Sequence, residues 1–368
     1  MKKTLSRPPV VVVLGHVDHG KTTLLDFIRK TRETEKEVGG ITQSIGAYEV
    51  RIPVKGYQTD KITFIDTPGH EAFSLLRLRG SSIADIAILV VDAVDSVMPQ
   101  TIESISHVKN AKIPMIVAIN KIDLERAKPE KVKSDLAKHD VLVEGMGGEV
   151  PVVEISAKKG TNVENLLEAI LLVSQINGLQ YSLEDPLKAT IIETKIDKAG
   201  VLTTAIIKNG SLKVGDTVYA DETLCKVRAL LDDQRNNLVE VYPSTPFQIL
   251  GFKSPPQIGA ILSLKPKTEK KDQEVKDKEQ EIDLKKFLTR REEKKLKILL
   301  KADSQGSLDS LLSTISTNKD IETILAAVGP ISKSDIFLAK VTKAIIIGFQ
   351  VKPQKQIQEL VREEKVVM

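Results

Sequence analysis

The sequence predicts a multidomain α/β protein in which a phosphate-loop domain is followed by a small β-barrel and then by a small α/β/α domain. Three observations predict it. The first is an apolar run, Val10 to Leu14, that feeds Gly15-His16-Val17-Asp18-His19-Gly20-Lys21-Thr22 and then Thr23-Leu24-Leu25, a buried strand passing through a glycine loop into a helix. The second is a change of texture after Pro186, where short β-rich runs recur at roughly 8–12-residue spacing as far as Leu264. The third is the return of strand–helix alternation over 296–368.

The G-x-x-x-x-G-K-[ST] spacing lets successive backbone N–H groups turn inward at a helix N-terminus, where the dipole favours negative charge. Asp18, His19, Gly20, Lys21, Thr22 and Thr23 then form the nucleotide cradle, with Lys21 reaching the β- and γ-phosphates and the Thr22 hydroxyl on Mg²⁺. The bland alternative is a glycine-bearing turn with a chance lysine, which the flanking strand and helix argue against. The loop alone does not say which nucleotide it holds.

A chain of 368 residues has room for two or three domains of roughly 100–200 residues. With 41% hydrophobic residues and no apolar run near the ~18–20 residues needed to span a bilayer, membrane insertion is not expected. The basic start, Met1 to Pro9, precedes too short an apolar run for a signal peptide, so a cytoplasmic location is expected. One cysteine, Cys225, fits a reducing compartment and reads as a buried small hydrophobe, and five scattered histidines show no zinc spacing. A net charge of +4 permits an RNA partner without demanding one.

In chain order, the polar segment 31–46 with Gly39-Gly40-Ile41-Thr42 reads as a loop that γ-phosphate and metal would order, which makes the Thr42 hydroxyl a candidate Mg²⁺ ligand. A short strand over 62–65 ends in Asp66-Thr67-Pro68-Gly69-His70. Asp66 can hold Mg²⁺ through water, Gly69 lets its N–H approach the γ-phosphate, and His70 sits where a water-orienting residue is needed. A helix is expected over 71–80, a strand over 86–92, a helix over 101–111 and a strand over 115–119. That last strand ends in Asn120-Lys121-Ile122-Asp123, at the carboxyl end where open α/β sheets bind ligands. Asp123 can accept from guanine N1–H and N2–H₂, donors that adenine lacks as a pair. After a strand over 152–155, Ser156-Ala157-Lys158 offers backbone N–H groups to guanine O6 and a hydroxyl to brace Asp123; a helix over 163–175 follows.

These stretches resemble the translational GTPases, and among them the bacterial-type translation initiation factor two family. The resemblance rests on the phosphate loop, on Gly39-Gly40-Ile41-Thr42-Gln43-Ser44-Ile45-Gly46-Ala47-Tyr48, on Asp66 to Phe73, on Val97-Met98-Pro99-Gln100-Thr101 and on Asn120 to Asp123. Ser44 is a departure, where many members carry His. The resemblance implies a P-loop GTPase over 10–178 after a tail at 1–9, a barrel over 179–265, a charged linker and helix over 266–295, and an α/β/α domain over 296–368. It implies GTP/GDP and Mg²⁺ as cofactors, His70 as catalytic histidine, and Val17 with Ile41 as an apolar gate that holds His70 off the water. It further implies a monomer that binds small-subunit ribosomal RNA and the large-subunit GTPase centre, positions initiator formylmethionyl-tRNA and promotes subunit joining. The family continues past such a third domain into a barrel that grips that tRNA, so a nucleotide-gated ribosome-binding module without initiator-tRNA binding is the alternative.

Overall fold

The computed structural model of the chain describes residues 5–30, 46–52, 56–66, 83–182, 184–197, 199–221, 223–265, 295–318 and 320–368. The first unit runs β1 (Leu5–Ser6), β2 (Val10–Leu14), α1 (Lys21–Arg29), β3 (Gly46–Arg51), β4 (Lys61–Asp66), β5 (Ile86–Asp92), α2 (Pro99–Ala111), β6 (Met115–Asn120), α3 (Pro129–Ala137), β7 (Val152–Glu154) and α4 (Val163–Ile176). Its main sheet has the order β3-β4-β2-β5-β6-β7, parallel throughout except for β3, which runs antiparallel to β4 at the edge. Val10, Val12 and Leu14 face α2 and α3, where Ile105, Val108, Val132 and Leu136 are buried. Val11 and Val13 face α1 and α4 through Leu24, Ile28, Leu166 and Ile170. A central strand covered on both faces cannot alternate with polar residues, which is why β2 and β5 read as unbroken apolar runs. The chain leaves β2 towards β4 on one side and β5 on the other, so the phosphate loop emerges where open sheets of this kind bind ligands.

The second unit is built from β9 (Lys188–Asp197), β10 (Gly200–Asn209), β11 (Leu212–Lys213), β12 (Thr217–Ala220), β13 (Thr223–Leu231), β14 (Asn237–Leu238), β15 (Glu240–Val241), β16 (Pro246–Phe252) and β17 (Ile261–Ser263). The order β12-β17-β9-β10-β16-β13-β14 closes through a further β12–β13 pairing, giving a barrel around Ile191, Ala205, Val218, Phe247 and Ile249. Cys225 lies fully inside, and burial pushes its thiol up to about 12, the inert small hydrophobe expected. The third unit has a parallel sheet β19-β18-β20, from β18 (Leu296–Ala302), β19 (Ile321–Val328) and β20 (Ile345–Phe349). Leu299 packs under α6 (Lys333–Thr342) and α7 (Lys355–Glu363), while its neighbour Leu300 packs under α5 (Gln305–Ser316), so adjacent side chains serve opposite layers.

Residues 5–9 are packed against the fold, where the sequence suggests a tail. Leu5 pairs with Tyr181 of β8 (Gln180–Tyr181), and Arg7 makes a two-pronged contact with Asp85, Nη1 to Oδ2 at 2.5 Å and Nη2 to Oδ1 at 2.8 Å. Asp85 also accepts from Lys208 Nζ of the barrel at 2.7 Å. Burial would raise the Asp85 carboxyl, but the bonds from Arg7 and Lys208 outweigh it and hold the acid below its ordinary range. Beside this cluster the Thr63 hydroxyl donates to Ser244 O at 2.5 Å and the Ser244 hydroxyl donates to Pro8 O at 2.6 Å, so strap, sheet and barrel meet at one seam. Among the described residues, no helix is long and apolar enough to cross a membrane.

Candidate nucleotide-binding site

The loop after β2 is shaped by two glycines that nothing else could replace. Gly20 has φ 90°, and a Cβ there would lie 2.3 Å from Asn120 Nδ2; at Gly15, with φ 143°, a Cβ would lie 2.3 Å from Val90 O. Asp18 also adopts a left-handed conformation, φ 61°. The backbone thus curls tightly against β5 and β6 before α1 begins at Lys21. The Lys21 ammonium folds back over the loop, donating to Gly15 O at 3.0 Å and His16 O at 2.7 Å, which points it across the cradle mouth.

Long-range bonds join this loop to the base-reading motif. Asn120 Nδ2 donates to His19 O at 2.9 Å, and Asn120 Oδ1 accepts from Ala157 N at 2.9 Å, so one buried amide ties the phosphate loop to the Ser-Ala-Lys turn. The Ser156 hydroxyl donates to Asp123 Oδ1 at 2.7 Å and accepts from Lys159 N at 3.2 Å. That hydroxyl bond holds the Asp123 carboxyl below its ordinary range, leaving it ionised with its second oxygen available to a donor pair. Gly20, Thr23, Asn120, Lys121, Asp123 and Leu124, with Ala157 and Lys158, line a cleft of about 270 Å³. The structure therefore brings Gly20, Thr23, Asn120, Lys121, Asp123, Ala157 and Lys158 around one space, with Ser156 buried behind it.

Thr22 is the second residue of α1, and Asp66 ends β4 in register with Val13 of β2 and Gly46 of β3. A hydroxyl and a carboxylate at the ends of neighbouring elements are the hard oxygen donors a magnesium ion takes, so the donor chemistry fits. Thr42, Gly69, His70 and the gate residue Ile41 lie outside the described residues, as do the helix expected over 71–80 and the charged linker and helix expected over 266–295 apart from its last residue, Lys295.

Two further side chains support the site in ways that the sequence motifs do not assign. Asp92, at the end of β5 and in register with Asn120, accepts from Lys121 Nζ at 2.6 Å; burial works against its charge, yet the Lys121 bond keeps its carboxyl low. A carboxylate closing an apolar parallel strand beside the Asn-Lys-x-Asp strand was the available signal. Gln100 Oε1 accepts from Val17 N at 3.0 Å, fixing the first half of the loop to α2. Its signal was weaker, a polar residue in the first turn of a helix behind a proline.

His19 is fully buried, its ring edge-on to His16 at 5.1 Å, and its Nδ1 accepts from Asp92 N at 3.3 Å. Burial, with His16 adding to it, lowers its pKa from 6.5 to about 4. The folded state therefore holds His19 neutral while the unfolded chain takes up a proton below pH 6.5. This contribution is complete above pH 6.5 and is lost as pH falls towards 4, about 2 kcal/mol of it between pH 7 and pH 5. Urea midpoints at the two pH values should show that loss, and His19→Gln should flatten the difference.

Three family descriptions match successive parts of the chain. Residues 7–175 match Elongation factor Tu GTP binding domain, residues 186–264 match Elongation factor G domain 2, and residues 269–368 match Translation-initiation factor 2. The chain is 47% identical over 383 residues to the Translation initiation factor IF-2 of Fervidobacterium nodosum, covering 99% of this chain and 55% of that protein. It is 45% identical over 380 residues to the Translation initiation factor IF-2 of Thermoanaerobacter sp. (strain X514), covering 98% and 54%. The chain belongs to the translation initiation factor IF-2 family. Members it matches are longer, and the chain spans about half the length of these curated relatives. Its fold is similar to that of GDP-bound aIF5B from Aeropyrum pernix, with a TM-score of 0.56 and 30% identity over 98% of this chain and 71% of that one. Membership of the IF-2 family accords with the order of units described above, a phosphate-loop α/β domain, a barrel and an α/β/α layer.

Proposed function

We propose that this chain carries the GTPase activity of a translation initiation factor. It binds GTP with Mg²⁺, associates with the ribosome, promotes placement of initiator formylmethionyl-tRNA on the small subunit and subunit joining, and hydrolyses GTP when the ribosome stimulates it. The observation that supports this reading most is the Asn120 amide, bonded at 2.9 Å to both the phosphate loop and the turn that carries Ser156 and Ala157.

In this reading Asp123 accepts from guanine N1–H and N2–H₂, the Ala157 and Lys158 N–H groups face O6, and Lys121 covers the base while Asp92 holds it. Lys21 neutralises the β- and γ-phosphates, assisted by N–H groups from Asp18 to Thr23 and from Gly69. Mg²⁺, when bound, screens phosphate charge during transfer; the Thr22 and Thr42 hydroxyls and Asp66, through water, would hold it. His70 orients the attacking water, and Val17 with Ile41 keeps it away until the ribosome acts. Among the described residues no arginine lines the nucleotide cleft, and without such a cation unstimulated hydrolysis is slow.

The test is phosphate release from GTP by the chain with and without ribosomes, run beside protection of formylmethionyl-tRNA from deacylation. The proposed activity requires ribosome-dependent turnover; its absence with GTP bound overturns the catalytic reading. Protection with turnover supports the full initiation role, and turnover without protection confines the chain to the GTPase part.

A further inference from the structure

A second cleft, of about 440 Å³, lies between the nucleotide domain and the barrel. Its floor is the outer face of the barrel. Glu193 pairs with Thr204 across β9 and β10, and Thr204 pairs with Gln248 across β10 and β16, so the three side chains form a polar row on one face. The opposite wall is the start of β3 together with Arg29 from the end of α1.

Two buried atoms in that row lack partners among the described residues. Glu193 is 1% exposed; its Oε1 accepts from Thr194 N at 3.0 Å and from Gly306 N of α5 at 3.2 Å, whereas Oε2 has no hydrogen-bond partner. Gln248 Oε1 is likewise buried and unpartnered. Native folds satisfy such atoms, so a polar cleft bordered by two of them is suited to a ligand carrying several polar groups. Burial raises the Glu193 acid above its ordinary range, and its Oε2 and the Gln248 amide oxygen each have room for a polar group. A polyol answers them with separate hydroxyls, one at Glu193 and one at Gln248, since each hydroxyl both donates and accepts.

The rim is cationic. Arg29 sits 4.1 Å over the Tyr48 ring and 3.3 Å from Asp233, Lys195 lines the same space, and Arg235 makes no ion pair among the described residues. With Arg29 facing Asp233 and Lys195 lying 4.0 Å from Asp303, Arg235 leaves the rim one cation in excess, which favours an anion, and the volume falls within the range of small-molecule sites.

We propose that this cleft binds a small polyhydroxylated anion, a sugar phosphate or a hydroxy acid in class, with hydroxyls at Glu193 and at Gln248 and its anionic group at Arg29 and Arg235. Because the other Glu193 oxygen holds the first turn of α5, an occupant here bears on the nucleotide domain, the barrel and the third unit together.

The test is calorimetric titration of the full chain, loaded with GDP and also nucleotide-free, with ribose 5-phosphate and separately with gluconate. One-to-one binding that leaves GDP in place is expected, and the tighter of the two probes identifies the source of the anion. Arg235→Ala, on an exposed turn, and Gln248→Leu should each weaken binding about tenfold, near the worth of one lost charge-assisted or buried hydrogen bond, with GDP affinity unchanged. Failure of both probes to bind, equal binding by both variants, or displacement of GDP overturns the proposal. Loss of GDP binding itself would strike the nucleotide reading and leave the titration of the nucleotide-free chain to decide this one.

Discussion

Asp123→Asn moves the preference of the cleft from guanine to xanthine nucleotides, with GTP affinity falling by a factor on the order of 10⁴. The wild-type carboxylate is an acceptor at both oxygens, and Ser156 already occupies Oδ1 at 2.7 Å while keeping the group ionised. Guanine brings two adjacent donors, N1–H and N2–H₂, to such a group. An asparagine keeps an acceptor at one atom but places an N–H₂ against the second, where it meets the N2 donor and leaves both unsatisfied. Xanthine carries a carbonyl at that position and restores the pairing. Asn120 and Ala157 are untouched by the change, so the cradle persists. Competition of fluorescent GDP and XDP analogues measures the switch; undiminished guanine selectivity would remove Asp123 from the base-reading role.

The sequence made that cleft legible because each motif is a short backbone device with a fixed local spacing, and the fully buried strands β2, β5 and β6 announce themselves as apolar runs. What binds the motifs to each other is not local. Asn120 and His19 are 101 residues apart, and Arg7 and Asp85 are 78 apart, so only the parallel sheet reveals that they touch. Edge elements were also hidden. In β3 only Tyr48 is buried, leaving too little alternation to mark a strand after a glycine-bearing polar segment. In α3 only Val132 and Leu136 are buried, one i,i+4 pair within charged neighbours, too short a stripe for a helical period to stand out. The small strands β11, β14, β15 and β17 carry two or three residues each, below the length at which a pattern exists.

His70→Ala is expected to lower ribosome-stimulated GTP turnover by about 10²–10⁴, the worth of a positioned general acid–base or water-orienting group. The nucleotide should still bind, because in the proposed reading its base is held by Asn120, Asp123 and Ala157 and its phosphates by the loop from Asp18 to Thr23. His70→Gln separates orientation from bulk: a glutamine orients water in Ras-type switches and should restore part of the rate, whereas loss of an imidazole needed only for packing would not be repaired by it. Single-turnover phosphate release on ribosomes, with GDP affinity measured alongside, distinguishes these cases. Turnover equal to wild type in the alanine variant would place the catalytic water under the control of another residue. Weakened GDP binding would mean that His70 shapes the site and does not act on the water. The expected result, intact binding with stalled hydrolysis, also fixes the order of events, since a chain that loads GTP and reaches the ribosome but cannot release phosphate must act downstream of nucleotide recognition.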